Sequence, residues 1–140
     1  MARVKLELPE NYQFETSLKV RITDINYGGH LGNDSVLSLI HEARFRYFKS
    51  LGYQDELHID GFGTIQSDTV IVYKGEAFHG DEIKIGIAID DISRKSFDLL
   101  YLLSCGDKEI ARAKTGIVMY DYANGKVCNI PENFLNKIQN

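Results

Sequence analysis

The sequence predicts an α+β domain in which an antiparallel sheet of about five strands is covered by one long helix. Three observations carry this prediction: one long segment has helical spacing of its apolar residues, several segments alternate as strands do, and short turns separate the later strands. The chain has 140 residues, of which 44% are hydrophobic, and this suffices for one hydrophobic core. We therefore expect one domain over residues 1–140.

The predicted strands follow one another with short connections. Residues 14–22 alternate between apolar and polar side chains and bring Asp24 to the end of the first strand. The later strands are predicted at residues 69–73, 83–89, 97–103 and 110–120. Tight turns are predicted at Gly106-Asp107 and Asn124-Gly125. Residues 53–63 have no clear period and are predicted to be a connection that can hold a short helical turn. A short helix is predicted over residues 131–138.

The long helix is predicted over residues 36–51, between the first two strands. Its apolar residues recur every three or four positions, as they do on one face of a helix, and they are Val36, Leu39, Ile40, Ala43, Tyr47 and Leu51. Asn33 or Asp34 is the predicted side-chain cap at its start. Gly52 can end the helix in a left-handed conformation.

The segment between the first strand and the helix contains three glycines, Gly28, Gly29 and Gly32. Because glycine has no Cβ, these residues let the backbone turn tightly and approach a ligand. The N–H groups in the first turn of a helix have no partner within the helix, and such groups bind anions or a developing oxyanion. This segment is therefore the predicted functional site.

The most specific pattern in the chain covers residues 20–33, which read Val-Arg-Ile-Thr-Asp-Ile-Asn-Tyr-Gly-Gly-His-Leu-Gly-Asn, together with Glu42-Ala43-Arg44 in the helix. It resembles the N-terminal signature of the hot-dog-fold acyl-CoA thioesterases of the 4-hydroxybenzoyl-CoA thioesterase type, and the similarity extends over about residues 14–121. The resemblance implies a hot-dog fold, in which the sheet wraps around the central helix. It also implies hydrolysis of an acyl-CoA or acyl-carrier thioester, with coenzyme A as part of the substrate and no separate cofactor.

Two residues depart from the family pattern. Asn26 stands where the family has the Asp that acts as the nucleophile or as the base for water, and His41 stands where relatives often have a Glu. An amide can orient water or bind a carbonyl group, but it cannot accept a proton as a carboxylate does. The alternative function is therefore a non-catalytic module that binds acyl thioesters without hydrolysing them.

The resemblance implies catalytic roles for Asn26, His30 and the backbone N–H of Asn33, with Asp24 and His41 as further candidates. Each has a simpler structural interpretation. Asn26 can be a turn residue that bonds its own backbone, His30 a buried structural histidine, and Asn33 a helix cap. For Asp24 we favour a structural role, in which it anchors the loop by accepting backbone N–H bonds. His41 can equally line the flank of the helix.

Four residues are the predicted substrate-binding set, namely Tyr27, Gly29, Gly32 and Tyr73. Aromatic residues near them could line an acyl pocket, but packing in the core explains such a set equally well. Loop cations such as Lys74, Arg94 and Lys95 could meet the phosphates of coenzyme A, although solvated surface charges are the simpler interpretation. The acyl group itself has no signature in the sequence.

Charge and composition argue against several other functions. The net charge of −4 and the lack of a Lys/Arg block argue against nucleic acid or an acidic membrane surface as a partner. The first residues are too charged for a signal peptide, and no apolar run is long enough to cross a membrane. We therefore expect a cytoplasmic protein without membrane insertion. Cys105, Cys128, His58 and His79 show no metal-ligand spacing, so no metal site is expected.

A homodimer, which can double into a tetramer, is expected from the pattern of the sheet. One helix cannot cover both faces of a sheet, yet residues 97–103 are apolar on both faces, so a second copy is expected to bury the other face. The resemblance implies that the thioester lies between subunits. A dehydratase or isomerase acting on acyl thioesters would share the fold, but it would need a His paired with a carboxylate across that interface.

Overall fold

A computed structural model describes residues 3–140, and the strands within that range form one antiparallel sheet of six. The strands are β1 (Phe14–Lys19), β2 (Gly63–Tyr73), β3 (Glu82–Asp90), β4 (Ser96–Cys105), β5 (Lys108–Asp121) and β6 (Lys126–Val127). The order across the sheet is β1-β3-β4-β5-β2, and the two-residue β6 pairs with β5. The helices are α1 (Asn33–Ser50) and α2 (Glu132–Ile138), and a 3₁₀ turn spans Ile22–Asp24.

The helix α1 lies against the inner face of the sheet, where it contacts β1 and β3. The predicted stripe of apolar residues is buried from Val36 to Tyr47, and Leu51, just after the helix, is half-buried. Ile83, Ile85 and Ile87 on the facing side of β3 are buried as well. At the other end of α1, the ring of Phe134 in α2 lies 5.8 Å from that of Phe48 and completes the core. The expected α+β hot-dog fold is therefore confirmed.

Several element boundaries differ from the prediction, most clearly those of β1 and β2. The strand β1 ends at Lys19 because the chain turns into the 3₁₀ segment, which leaves Ile22 exposed. The strand β2 begins at Gly63 rather than at residue 69, and its early residues are polar because they lie at the exposed edge of the sheet. Residues 53–63 form turns and an isolated bridge between Ile59 and Phe62, without a helical turn.

The start of α1 is also not as predicted. The N-cap is Gly32, whose backbone is extended (φ −71°, ψ 152°), and no side chain caps the helix. Asn33 and Asp34 lie inside the first turn, so the prediction that one of them is the capping side chain is wrong. The end of the helix agrees with the prediction, since Gly52 follows it with a φ of 96°.

The outer face of the sheet is crossed by the N-terminal segment, residues 3–13. Next to β1, the ring of Tyr12 packs on Gly86. Leu8 and Pro9 lie beside Leu100, and residues 3–5 lie beside the end of β2. Leu100 is only 6% exposed. The N-terminal segment therefore covers part of this outer face, while Leu102 on the same face is half-buried, and the homodimer stays a prediction.

A buried polar network connects α1 with the sheet and with the loop before β2. The side chain of Arg44 is 6% exposed and forms a salt bridge with Glu56. Deeper in the core, the hydroxyl groups of Tyr101 and Thr115 lie 2.8 Å apart and hydrogen-bond to each other. Because a buried charge without a partner is strongly unfavourable, this network fixes the position of the loop relative to α1.

We predict that replacing Tyr47 with Phe stabilises the protein. The Tyr47 hydroxyl is buried without a hydrogen-bond partner among residues 3–140, and burial raises the pKa of Tyr47 to about 12. Removing an unsatisfied hydroxyl should raise the free energy of unfolding by about 1 kcal/mol, measured by urea denaturation. Tyr101→Phe is the matched control, because it leaves the Thr115 hydroxyl without its partner and should destabilise. Equal decreases in the free energy of unfolding of Tyr47→Phe and Tyr101→Phe would contradict the prediction.

Candidate active site

Asp24 anchors the loop that leads into α1. It is 4% exposed, and its carboxylate accepts hydrogen bonds from the backbone N–H of Arg21 (2.8 Å) and from the Arg21 guanidinium (3.1 and 3.2 Å). Burial works against the charged carboxylate, but these bonds and the positive charge of Arg21 outweigh it and lower the pKa of Asp24. The carbonyl oxygen of Asp24 accepts the N–H of Gly32 at 2.9 Å. The structural role favoured for Asp24 is thus the one that its contacts support.

Asn26 closes the tight turn of the glycine loop. Its side-chain oxygen accepts the N–H groups of Gly28 (2.9 Å) and His30 (3.3 Å), and its own N–H donates to the carbonyl oxygen of His30 at 2.8 Å. The turn also places Gly29 at a φ of 82°, a conformation that glycine adopts without strain. The amide oxygen of Asn26 is therefore engaged by the loop, and within residues 3–140 its amide N–H groups donate to no acceptor.

The start of α1 is held between the loop and the segment after β2. The N–H of Leu31 donates to the carbonyl oxygen of Ala77 at 2.8 Å. The Tyr73 hydroxyl donates to the carbonyl oxygen of Asn33 at 3.2 Å. Among the residues that the structure describes, the N–H of Asn33 meets no acceptor. A fixed backbone donor is thus available at the positive end of the helix dipole.

A cavity of about 210 Å³ opens beside this donor. Its polar lining consists of Asn26, His30, Asn33, Tyr73 and Glu76, and its apolar lining includes Leu31, Val36 and Ile110. The Nε2 atom of His30 lies 3.6 Å from Oε2 of Glu76, and the His30 ring packs edge-on against Phe78 at 5.3 Å. Burial and, to a lesser extent, the charge of Asp34 raise the pKa of the Tyr73 hydroxyl, so it stays a neutral donor.

A larger groove of about 770 Å³ adjoins the cavity. It lies between residues 3–5 and the end of β2, and Tyr73 lines both spaces. Arg3, Lys5 and Lys74 place three cations along the groove. The arrangement can hold a polar acyl or thioester group in the cavity and an anionic group beside it.

The structure brings some of the predicted site residues together and separates others. Asn26, His30, Asn33 and Tyr73 line the cavity, and Gly32 is the helix cap beside it. Tyr27 is fully exposed, and Gly29 lies on the outside of the loop. His41 lies on the exposed flank of α1, with its Nε2 atom 3.7 Å from Oε2 of Glu56.

Glu76 is the cavity residue that sequence reasoning missed. It lies in the connection between β2 and β3, some fifty residues after the glycine loop in the chain, and no periodic pattern marks it. Its side chain is 63% exposed, so no burial pattern in the sequence could have marked it.

Within residues 3–140 no group of three or more His, Cys, Asp or Glu side chains is placed to hold a metal ion. Cys105 and Cys128 are free thiols. No helix of the described chain combines the length and the apolar character that a membrane span requires.

Several solved structures have the same fold. A 1,4-dihydroxy-2-naphthoyl-CoA thioesterase from Synechocystis superposes with a TM-score of 0.82 and 21% identity, covering 91% of this chain and 96% of that chain. A thioesterase from Thermus thermophilus, solved with coenzyme A and zinc, has a TM-score of 0.80 and 20% identity, covering 93% of this chain and 100% of that one. The fold of this chain is thus one that thioesterases also have.

The sequence itself is similar to a protein of Aquifex aeolicus (strain VF5) that is named provisionally as an esterase. The two are 23% identical over 118 residues, which cover 84% of this chain and 91% of the relative. The sequence pattern of the thioesterase-like superfamily matches residues 20–138. The chain therefore belongs to the thioesterase-like superfamily.

We predict that the anchor at Asp24 makes stability depend on pH. The folded state lowers the pKa of Asp24 and so favours its charged form. Its contribution should be present above about pH 4, the range of an unfolded Asp, and should be lost as the pH falls through the folded-state pKa. The free energy of unfolding of Asp24→Asn should lie about 1 kcal/mol below wild type near neutral pH, measured by urea denaturation.

The difference between the two proteins should then shrink in acid. Arg21→Ala is the control, because it removes the guanidinium but keeps the backbone N–H that Asp24 accepts, and it should lose only part of the effect. A gap between wild type and Asp24→Asn that stays constant down to about pH 2 would contradict the assigned role.

Proposed function

We propose that this chain hydrolyses an acyl-CoA thioester to the free acid and coenzyme A. The observation that carries the proposal is the unpaired N–H of Asn33 at the start of α1, which borders a cavity that His30, Tyr73 and Glu76 also line. Membership of the thioesterase-like superfamily supports the reaction class.

In this proposal the thioester carbonyl accepts a hydrogen bond from the Asn33 N–H. Negative charge develops on that oxygen when water attacks the carbonyl carbon, and a fixed donor at the positive end of a helix stabilises this charge more than the ground state. Tyr73 bonds the carbonyl oxygen of Asn33. That bond holds the first residue of the helix in place, so the donor needs no reorganisation during the reaction.

Coenzyme A is the proposed thiol partner because of the groove next to the cavity. Arg3, Lys5 and Lys74 line it, and phosphate groups are bound by such cations. The cavity of about 210 Å³ is small enough to favour the thioester group and a short or compact acyl chain. Two neighbours in fold support this choice, since one is named for a naphthoyl-CoA thioester and the other was solved with coenzyme A.

The second candidate function is a module that binds acyl thioesters without hydrolysing them. It is favoured by Asn26, whose side-chain oxygen is engaged by the N–H groups of Gly28 and His30. An engaged amide oxygen neither accepts a proton nor orients an attacking water. If no other group takes that role, the helix start and the groove would bind the thioester and leave it intact.

We predict that Asn33→Pro lowers kcat by about 100- to 1,000-fold, because it removes the proposed oxyanion donor. Proline is well tolerated at the first position of a helix, and the extended backbone of Gly32 suits a residue before proline. Asn33→Ala is the matched control, because it removes the side chain but keeps the N–H and should retain most of the activity.

Thiol release should be measured with a panel of short, branched, long and aromatic acyl-CoA substrates. The matching N-acetylcysteamine thioesters lack the phosphates of coenzyme A. They should show a higher KM if the cationic groove binds those phosphates. Equal kcat in Asn33→Pro and Asn33→Ala would exclude the oxyanion role. If wild type turns over no substrate while an acyl-CoA still raises its Tm, the binding module replaces the hydrolase.

We also propose that the active species is a homodimer that pairs along β2. This strand is eleven residues long and lies at an edge of the sheet, and residues 65–69 are exposed in the single chain. A long exposed edge with unpaired backbone groups favours pairing with another strand. Pairing of two β2 strands would join two sheets and place the partner near the helix flank that carries His41.

The dimer is tested by sedimentation equilibrium, where wild type should give twice the chain mass of 15.9 kDa. Thr69→Lys should weaken the dimer by placing like charges on facing edges. Asp107→Lys, in the hairpin turn between β4 and β5, is the control and should leave the mass unchanged. A monomer at every wild-type concentration would rule out this interface.

A further inference from the structure

The proposed reaction needs a group that takes a proton from water, and the loop does not offer one. The side-chain oxygen of Asn26 is occupied by two backbone N–H groups. Asp24 is buried, and both of its carboxylate oxygens accept bonds from Arg21. Its folded-state environment also favours the unprotonated form. Neither side chain is therefore placed to accept a proton in the cavity.

Glu76 is the one carboxylate among the described residues that line this cavity. Its only ion-pair partner within residues 3–140 is His30, at 3.6 Å from Nε2 to Oε2. The ammonium group of Lys108 donates to the backbone carbonyl oxygen of Glu76 rather than to its carboxylate. A carboxylate that lines the cavity can act as a general base if it comes within hydrogen-bond reach of the attacking water.

The backbone around Glu76 is fixed relative to the oxyanion donor. The N–H of Gly75 donates to the carbonyl oxygen of Ile110 at 3.1 Å, and the carbonyl oxygen of Ala77 accepts the N–H of Leu31 at 2.8 Å. Leu31 lies two residues before Asn33, so the same short connection that holds the helix start also holds Glu76. The backbone at Glu76 and the donor thus share one rigid frame, while the Glu76 side chain itself is 63% exposed.

We propose that Glu76 is the general base of this site and supplies the carboxylate that Asn26 lacks. The inference rests on the proposed hydrolysis. Water attacks the carbonyl carbon while its proton passes to an oxygen of Glu76, and the charge on the carbonyl oxygen is held by the Asn33 N–H. The C–S bond then breaks, its electron pair leaves with sulfur, and the proton on Glu76 passes to the thiolate.

His30 is a positioning residue in this scheme. Its Nε2 atom faces Glu76, and its ring is held by Phe78 and by the backbone bonds to Asn26. A separation of 3.6 Å is longer than a hydrogen bond, and catalytic contacts of this kind tighten when substrate binds. A donating His30 would turn the carboxylate toward the cavity and away from solvent.

The decisive comparison is thiol release by wild type, Glu76→Gln and the double variant Glu76→Gln/Asn26→Asp. Glu76→Gln should lower kcat by about 100- to 10,000-fold and change KM little, because the amide keeps the shape and loses the base. The double variant should recover activity, since it returns a carboxylate to the other side of the cavity. Glu82→Gln, at the exposed start of β3, is the matched control and should behave as wild type.

Chemical rescue distinguishes a general-base role of Glu76 from a merely structural one. Added formate should restore part of kcat to Glu76→Ala, because a small carboxylate can occupy the vacated space, and it should not accelerate wild type. An unchanged kcat in Glu76→Gln overturns the role of Glu76 and leaves the hydrolase proposal standing. Turnover by Asn26→Asp alone, with an inactive wild type, also overturns it. If neither wild type nor Asn26→Asp turns over any substrate, the hydrolase proposal itself is excluded.

Discussion

The start of α1 imposes the constraint on which the site depends. A helix that begins against a sheet must find acceptors for its first N–H groups or leave them for a ligand. Here no side chain provides the cap, and the loop satisfies its N–H groups through carbonyl oxygens of Asp24 and Ala77. Within residues 3–140 the N–H groups of Asn33 and Asp34 remain without an acceptor, and that of Asn33 is the proposed oxyanion donor. This arrangement sets the positions of the glycine loop, of Tyr73 and of the segment after β2.

Much of the fold could be predicted from the sequence because burial leaves a regular pattern. The alternation of isoleucines over residues 83–89 marks β3, and the apolar stripe marks α1, since each pattern reflects one buried face. The early part of β2 carries no such pattern because the edge is exposed there. The N-terminal segment could not be predicted, because its contacts with β5 and β2 involve backbone and shape rather than periodicity.

The site could be predicted only in part, for a related reason. The residues of the glycine loop are adjacent in sequence, so their motif shows them together. Glu76 meets His30 only because β2 returns the chain to the helix start, and a single sequence does not show such a contact. The cap was mispredicted because Asn33 and Asp34 suit a capping position by residue type, whereas the tight loop places Gly32 there.

The N-terminal segment, residues 3–13, runs across the outer face of the sheet from one edge to the other. It joins β1 at one edge to β2 at the other across the outer face, and the N-terminal end of the described chain, at Arg3, lies beside the groove that Tyr73 borders. The other end of the chain lies past α2, next to the last turn of α1. Arg3 thus lies in the groove near the start of α1, whereas Lys137 bonds the carbonyl oxygen of Leu51 at the opposite end of that helix.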